Sequence, residues 1–531
     1  MRVGEAIVAL LKEHYGVDVV FGIPGVHNIE LYRGLSTSGV RAISPRHEQG
    51  AGFMADGYAI ATGRPGVCML ITGPGLTNAL TPMGQAYHDS RPMLVLAATT
   101  PTTDLGKGHG PLHDISDQAA IAGPVTAFST TVTDPTHMPA LLASAWETFD
   151  RSRPGPVHLA IPTDVLAMET EPYTGFHRAR SRFHQPMPAD VQRAAALLAA
   201  AERPAIIAGG GAIDAGPALQ RLAERVGAMV VLSGNAKGVL PSSHPLCAGN
   251  ALSNATAQRL LAEADCVVVV GSEVSDADIW NGGHPLPLAA DGAVVRIDID
   301  SIQLLRERVT HTVGIVADAH DALTALADEL GDGTPSPHGA ARAAQVRDDV
   351  LAAVDPEKLP WLQAIEAALP ADVFVALDST QLAYTAHSYL PCEAPRRWLA
   401  PYGFGTLGCA IPMAIGAHIA CPDRPAFALV GDGGWMFTIA EMATAVDVDA
   451  DIVVVLWDNG GYGQIAVSFD DAQAPPMGVA ISSPDPEGIA RGFGWSTASV
   501  DEPRELRAAI TAAFAAGGPQ FIHVRRPRLA P

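Results

Sequence analysis

Residues 426–434 read AFALVGDGG, and residues 452–461 read IVVVLWDNGG. Each is a continuous apolar run of strand length that breaks into a glycine turn. A strand that is apolar at every position has both faces covered, which is the habit of a parallel sheet with helices above and below. Working outward, VFVALD (373–378) and FIHVRR (521–526) repeat the pattern, so the block 356–531 predicts one such sheet. Upstream, VVFGIPG (19–25), VCMLITGPG (67–75), MLVLAATT (93–100) and VHLAIP (157–162) alternate with helical stretches and mark a block 1–167. PAIIAGGG (204–211), MVVLSG (229–234), CVVVVGSE (266–273) and AVVRIDID (293–300) mark another over 188–330. A Pro- and charge-rich connector near 168–188 and the polar stretch GDGTPSPH (331–338) separate the blocks. The expected fold class is α/β, with three consecutive doubly wound parallel-sheet domains.

The bulk numbers agree with such a chain. At 531 residues it is too long for one ordinary core. Its net charge is -22, from 34 basic and 56 acidic residues, a field that repels phosphate backbones and argues against a nucleic-acid partner. The six cysteines, Cys68, Cys247, Cys266, Cys392, Cys409 and Cys421, form no CxxC pair. They predict neither a disulfide framework nor a zinc site, and fit a reducing compartment. The opening helix pattern is broken by Glu5, Lys12 and Glu13, unlike a signal peptide. The longest uncharged apolar stretch, 405–421, is rich in Gly and Ala and reads as a buried helix entry, not a membrane span. A soluble, cytoplasmic protein with no membrane partner is expected.

In doubly wound sheets, ligands sit beyond the carboxyl ends of strands. Asp432 and Asn459 both fall there, 27 residues apart, which leaves room for a helix and the next parallel strand. Either glycine turn alone is an ordinary loop; together they bring a carboxylate and an amide oxygen to one sheet edge. Mg²⁺ wants hard oxygen ligands in octahedral array, and a turned-in carbonyl at Gly461 could add a third. Gly433 and Gly434 let backbone N–H groups approach a diphosphate.

This GDG–gap–Asn arrangement resembles the cofactor motif of thiamine diphosphate-dependent enzymes, although Asp458 stands where the first Asn of an NN pair is usual. The resemblance covers essentially the whole chain, in the order pyrimidine-binding, central and diphosphate-binding domain. It is nearest to the acetolactate synthase and 2-oxo acid decarboxylase branch. It implies thiamine diphosphate and Mg²⁺ as cofactors, with Asp432, Asn459 and Gly461 on the metal. It implies Glu48, in RHEQGAGFMADGY (46–58), as the carboxylate that drives the cofactor's proton transfer. Pro24, Thr72, Gly73 and Asn78 match the pyrimidine-facing loops. Ser379, Thr380, Gln381 and Tyr462 match segments around the diphosphate. Gly405 and Leu407 match the wedge under the bent cofactor. In the family these halves meet across a subunit interface, so a homodimer or homotetramer is implied.

The branch point is the fate of the cofactor-bound enamine, which takes a proton to give an aldehyde or attacks a second carbonyl. Simple pyruvate decarboxylases carry adjacent histidines where this chain has GHGPLHDISDQ (108–118), an aspartate at Val26 and a glutamate at Ile465. That relay is missing. Acetolactate synthases bind FAD through a central segment that GSEVSD (271–276) does not reproduce, so FAD is the least favoured cofactor. The 108–118 loop looks most like decarboxylases of 5-guanidino-2-oxopentanoate. A guanidinium group would seek carboxylates such as Asp114, Asp117, Asp470 or Asp471. His109, His113 and Gln464, with Val26 and Ile465, are the candidate substrate-facing residues. The expected activity is decarboxylation of a 2-oxo acid; the alternative is an acetolactate synthase-like carboligase. A nicotinamide dehydrogenase would need a clean GxGxxG after a strand, which is missing. A silent, assembly-only paralogue would have lost Glu48, Asp432 or Asn459.

Overall fold

A computed structural model describes residues 1–175, 185–280, 283–306, 309–482 and 484–528. The first sheet contains β1 (Val19–Phe21), β2 (Arg41–Ile43), β3 (Gly66–Leu70), β4 (Met93–Thr99), β5 (Phe128–Thr131) and β6 (Pro156–Pro162). The second contains β7 (Pro204–Ala208), β8 (Met229–Leu232), β9 (Cys247–Asn250), β10 (Cys266–Val270), β11 (Ala293–Asp298) and β12 (Val313–Val316). The third contains β13 (Phe374–Leu377), β14 (Trp398–Leu399), β15 (Ala426–Gly431), β16 (Ile452–Asp458), β17 (Ser496–Val500) and β18 (Pro519–Arg525). Their orders are β2-β1-β3-β4-β6-β5, β12-β11-β10-β7-β8-β9 and β14-β13-β15-β16-β18-β17. All pairings within the sheets are parallel, as continuous runs such as the fully buried CVVVV of β10 require. The three consecutive doubly wound domains expected from sequence are thus present. No helix among the described residues is long and apolar enough to cross a membrane.

The first and third sheets share one strand order, and one buried cluster runs through both. It joins Phe21, Cys68, Leu70 and Val95 to Phe374, Val430, Val454 and Leu456. The join is made by two helices, Glu48–Thr62 and Ala410–Ala420. They touch backbone to backbone. A Cβ added to Gly57 would lie 2.1 Å from the Met413 carbonyl oxygen, and one on Gly416 2.0 Å from that of Met54. The pairs 57 with 413 and 54 with 416 make the helices antiparallel. The second sheet keeps its own cores on its two faces.

Gly416→Ala therefore forces this helix pair apart. Overpacking of this kind costs about 1–3 kcal/mol, and a lowered thermal unfolding midpoint is the expected result.

Candidate active site

A doubly wound sheet opens a crevice where the strand order reverses. In the third sheet that point lies between β13 and β15, and in the first between β1 and β3. Nearly every residue singled out from sequence lies at one of these two edges.

At the third-sheet edge, β15 delivers Asp432 as the first residue of the helix Asp432–Phe437. Asp432 is 2% exposed, and its Oδ2 is buried without a hydrogen-bond partner among the described residues. Burial, with the neighbouring charge of Asp458, pushes its carboxyl up to about 6. A buried carboxylate oxygen of this kind calls for a further partner. The strand β16 delivers Asn459, whose Nδ2 donates to Gln381 Oε1 at 3.0 Å, leaving the amide oxygen for a ligand. The Gly461 carbonyl accepts from the Gly463 N–H at 3.0 Å. Asp458 is committed elsewhere: Oδ1 accepts from the Gly460 N–H at 3.1 Å and Oδ2 pairs with His523 Nε2 at 3.0 Å.

Small residues make room around this acid. A Cβ on Gly433 would lie 2.5 Å from the Tyr462 ring, and one on Gly434 2.8 Å from the Asp378 carboxylate. Asp378 was not evident from sequence. It is 1% exposed and accepts the N–H groups of Ser379 at 2.8 Å and Gly408 at 2.9 Å, so it ties the 379–381 turn to the 405–408 loop. Burial pushes it up to about 6 despite those bonds. The Ser379 hydroxyl spans the same gap to the Gly405 carbonyl at 3.4 Å. Thr380 is buried against Gly431, and Leu407 is half-buried at the loop's tip.

At the first-sheet edge, Glu48 opens its helix, and its Oε2 accepts from Asn78 Nδ2 at 2.9 Å. Thr72 and Gly73 are held by Gln118, another residue whose role no motif announced. Its Oε1 accepts from the Thr72 hydroxyl at 3.0 Å and the Gly73 N–H at 3.3 Å, while its Nε2 donates to the Ala98 carbonyl at 2.9 Å. His113 sits against this turn, its carbonyl accepting from Thr72 at 3.4 Å. His109 is exposed and paired with Asp104 at 2.8 Å. Asp117 caps the helix Gln118–Ala122, and Asp470 and Asp471 are exposed. Pro24, Val26 and Ile465 are exposed, and Gln464 is half-buried.

The two edges do not meet within one chain. Glu48 is six residues beyond the 54–416 contact, and Leu407 is six residues beyond the 57–413 contact in the opposite sense. At 1.5 Å per residue the separation along the helix pair is on the order of 20 Å. A separate cavity of about 290 Å³ lies where the central domain faces the other two, lined by Arg91, Arg153, Gly210, Glu273, Asp298 and Arg396. Glu273 is committed there, to Arg153, to Gln303 at 2.9 Å and to Arg306 at 3.0 Å.

Comparison with known proteins matches residues 1–121 to the N-terminal TPP binding domain of thiamine pyrophosphate enzymes, 191–326 to their central domain and 378–524 to their C-terminal TPP binding domain. The chain belongs to the thiamine pyrophosphate enzymes. Among its relatives is a probable 2-ketoarginine decarboxylase of Pseudomonas aeruginosa, 44% identical over 99% of this chain and 94% of the relative. The large subunit of acetolactate synthase isozyme 1 of Escherichia coli is 32% identical over 98% of this chain and 93% of the relative. A sulfoacetaldehyde acetyltransferase of Alcaligenes xylosoxydans xylosoxydans is 33% identical over 84% of this chain and 79% of the relative. In this thiamine pyrophosphate enzyme the C-terminal match begins at Asp378, the residue that ties the third-sheet edge together.

Asp378→Ala leaves the Ser379 and Gly408 N–H groups unpaired, at about 1–3 kcal/mol for each group that stays buried. Thermal unfolding should register that loss, with Asp378→Asn losing less.

Proposed function

We propose that this thiamine pyrophosphate enzyme uses Mg²⁺ to hold its cofactor and decarboxylates a 2-oxo acid, with 5-guanidino-2-oxopentanoate (2-ketoarginine) as the substrate. The observation that carries the metal half is the buried, unpartnered Oδ2 of Asp432 beside Asn459. The relative named a probable 2-ketoarginine decarboxylase supports the substrate half. What the cofactor would supply when bound is a nucleophilic carbon that adds to the carbonyl and a cationic ring that takes up the electrons left behind as CO₂ departs.

The chain's residues prepare that event. Asp432, the Asn459 amide oxygen and the Gly461 carbonyl form the oxygen set for Mg²⁺. The N–H groups at Gly433 and Gly434 would face the diphosphate, with the 379–381 turn and Tyr462 also holding it. Glu48, steadied by Asn78, would hold the pyrimidine nitrogen, with Thr72, Gly73 and the Pro24 turn around the ring. The Gly405 carbonyl would receive the amino group, and Leu407 would support the ring system. Among the acids considered for the guanidinium, Asp114 is half-buried next to His113, whereas Asp117, Asp470 and Asp471 are exposed. FAD has no part in this reading; Glu273, on the lining of the central cavity, is tied to Arg153, Gln303 and Arg306.

Since the two edges lie apart in one chain, the working unit is a pair of chains, each completing the other's site. Exposed apolar side chains mark the surface that the partner covers: Val26 is 68% exposed, Leu112 63%, Phe437 50% and Ile465 51%. A second reading, carboligation of two 2-oxo acids, draws on the aliphatic Ile465 and the acetolactate synthase relatives.

Four outcomes are expected. With thiamine diphosphate and Mg²⁺ added, CO₂ is released from 2-ketoarginine faster than from pyruvate, and mass analysis of the product finds the aldehyde; an acyloin would favour the second reading. Glu48→Gln lowers turnover by about 10²–10⁴ while the protein stays folded. Asp432→Ala weakens Mg²⁺-supported cofactor binding on the order of a hundredfold. The parent's affinity falls as pH drops through about 6, where Asp432 takes up the proton that competes with the cation. Calorimetry checks both.

A further inference from the structure

The turn that carries Asn459 and Gly461 leans on a line of charged groups behind it. Asp458 Oδ2 meets His523 Nε2 at 3.0 Å, and His523 Nδ1 meets Glu487 Oε1 at 3.2 Å. Asp458 and His523 are buried, and Glu487 is half-buried at the rim. An ionised carboxylate only accepts hydrogen bonds, so a ring between two of them carries a hydrogen on each nitrogen. His523 is therefore a cation clamped by two anions. Burial alone would lower the ring; its bonds to Asp458 and Glu487 outweigh that and hold it above the usual histidine range.

Asp458 is the root of the turn. Its Oδ1 accepts from the Gly460 N–H at 3.1 Å, and its carbonyl accepts from the Arg526 N–H at 2.9 Å. Gly460 has φ +76°, and a Cβ there would lie 3.2 Å from the Arg528 side chain, so the chain end beyond β18 closes that side. On the other side the Tyr462 N–H donates to the Val479 carbonyl at 2.8 Å, and the Ile481 N–H to the Gly460 carbonyl at 3.0 Å. Backbone contacts thus fix the far end of the turn. Asp458 fixes the near end, and His523 is the partner of its second oxygen. Two effects of losing His523 oppose each other. An uncompensated Asp458, whose charge is already felt at Asp432, would attract a cation more strongly. A slackened turn would misplace Asn459 and Gly461. Mg²⁺ demands near-ideal octahedral geometry, so for that ion position outweighs charge.

We propose that His523 is a positioning residue for the cation site: through Asp458 it sets the turn that presents Asn459 and Gly461, and so fits the site to a small octahedral ion. The proposal rests on the Mg²⁺ half of the reading above and not on the substrate. It also accounts for Asp458, which departs from the cofactor motif: the added carboxylate has a dedicated cation behind it. His523 lies 65 positions from Asp458, inside the strand FIHVRR, and only the fold brings the two together.

The test uses the full chain freed of metal, with thiamine diphosphate and either Mg²⁺ or Ca²⁺ as probes and cofactor binding read by calorimetry. His523→Leu removes both hydrogen bonds. His523→Gln keeps a donor for Asp458. Asp458→Asn combined with His523→Gln rebuilds the contact as a neutral pair. With Mg²⁺, His523→Leu should bind the cofactor about 10–100-fold more weakly than the parent. With Ca²⁺, whose coordination is more flexible, the loss should stay within about threefold. His523→Gln should fall between the parent and His523→Leu, and the double variant should return to within about threefold of the parent. Equal losses with the two ions, as general destabilisation would give, an unrecovered double variant, or unchanged Mg²⁺-supported binding in His523→Leu would each overturn the role of His523. If His523→Leu does not fold, His523→Gln and the double variant carry the same comparison. If the parent binds thiamine diphosphate equally well with and without a divalent cation, the metal reading itself falls and takes the proposal with it.

Discussion

One buried guanidinium holds the three domains in register. Arg91, from the turn before β4, donates to Asp56 of the first domain at 2.9 Å, to Asn235 of the central domain at 2.9 Å and to the Ala400 carbonyl of the third at 3.0 Å. A charge removed from water is tolerable only if every donor finds an acceptor, so its placement admits little slack. Asp89 completes the knot by accepting from Asn235 at 3.1 Å and from the Gly403 N–H at 2.8 Å. Gly403 leads into the 405–408 loop. The position of that loop, and with it the third-sheet edge, is therefore set by a residue of the first domain. A second joint, Lys237, runs from the central domain to the His387 carbonyl at 2.7 Å over the Trp398 ring.

Against that frame the two site edges are rigid bodies. The antiparallel helices Glu48–Thr62 and Ala410–Ala420 fuse the first and third cores, so Glu48 and Asp432 cannot drift relative to each other within a chain. Glu441 reinforces this from the third domain: fully buried, it accepts the N–H groups of Arg46 and His47 just ahead of Glu48. The separation of the two edges within a chain is therefore fixed by the fold.

Much of this was legible in the residue string, for identifiable reasons. Continuous apolar runs disclose parallel strands because burial on both faces leaves no room for alternation. Asp432 and Asn459 stand out because a carboxylate and an amide after two such runs have few structural uses. The residues that stayed hidden are those defined by distant partners. Asp378 matters because Gly408 lies 30 positions away, and Gln118 because Thr72 lies 46 positions away. The identical strand order of the first and third sheets was equally hidden, since order depends on crossovers and not on the composition of any strand.

That shared order has an evolutionary reading. Two sheets of six strands each, wound the same way and fused through one core, are what duplication of a single ancestral unit would leave, with the central sheet, of different order, set between the copies. One copy carries Glu48 at its edge and the other carries Asp432. The chain is then, in ancestry, a pair of equivalent modules, and the difference between its two edges is a symmetry that was inherited whole and later broken.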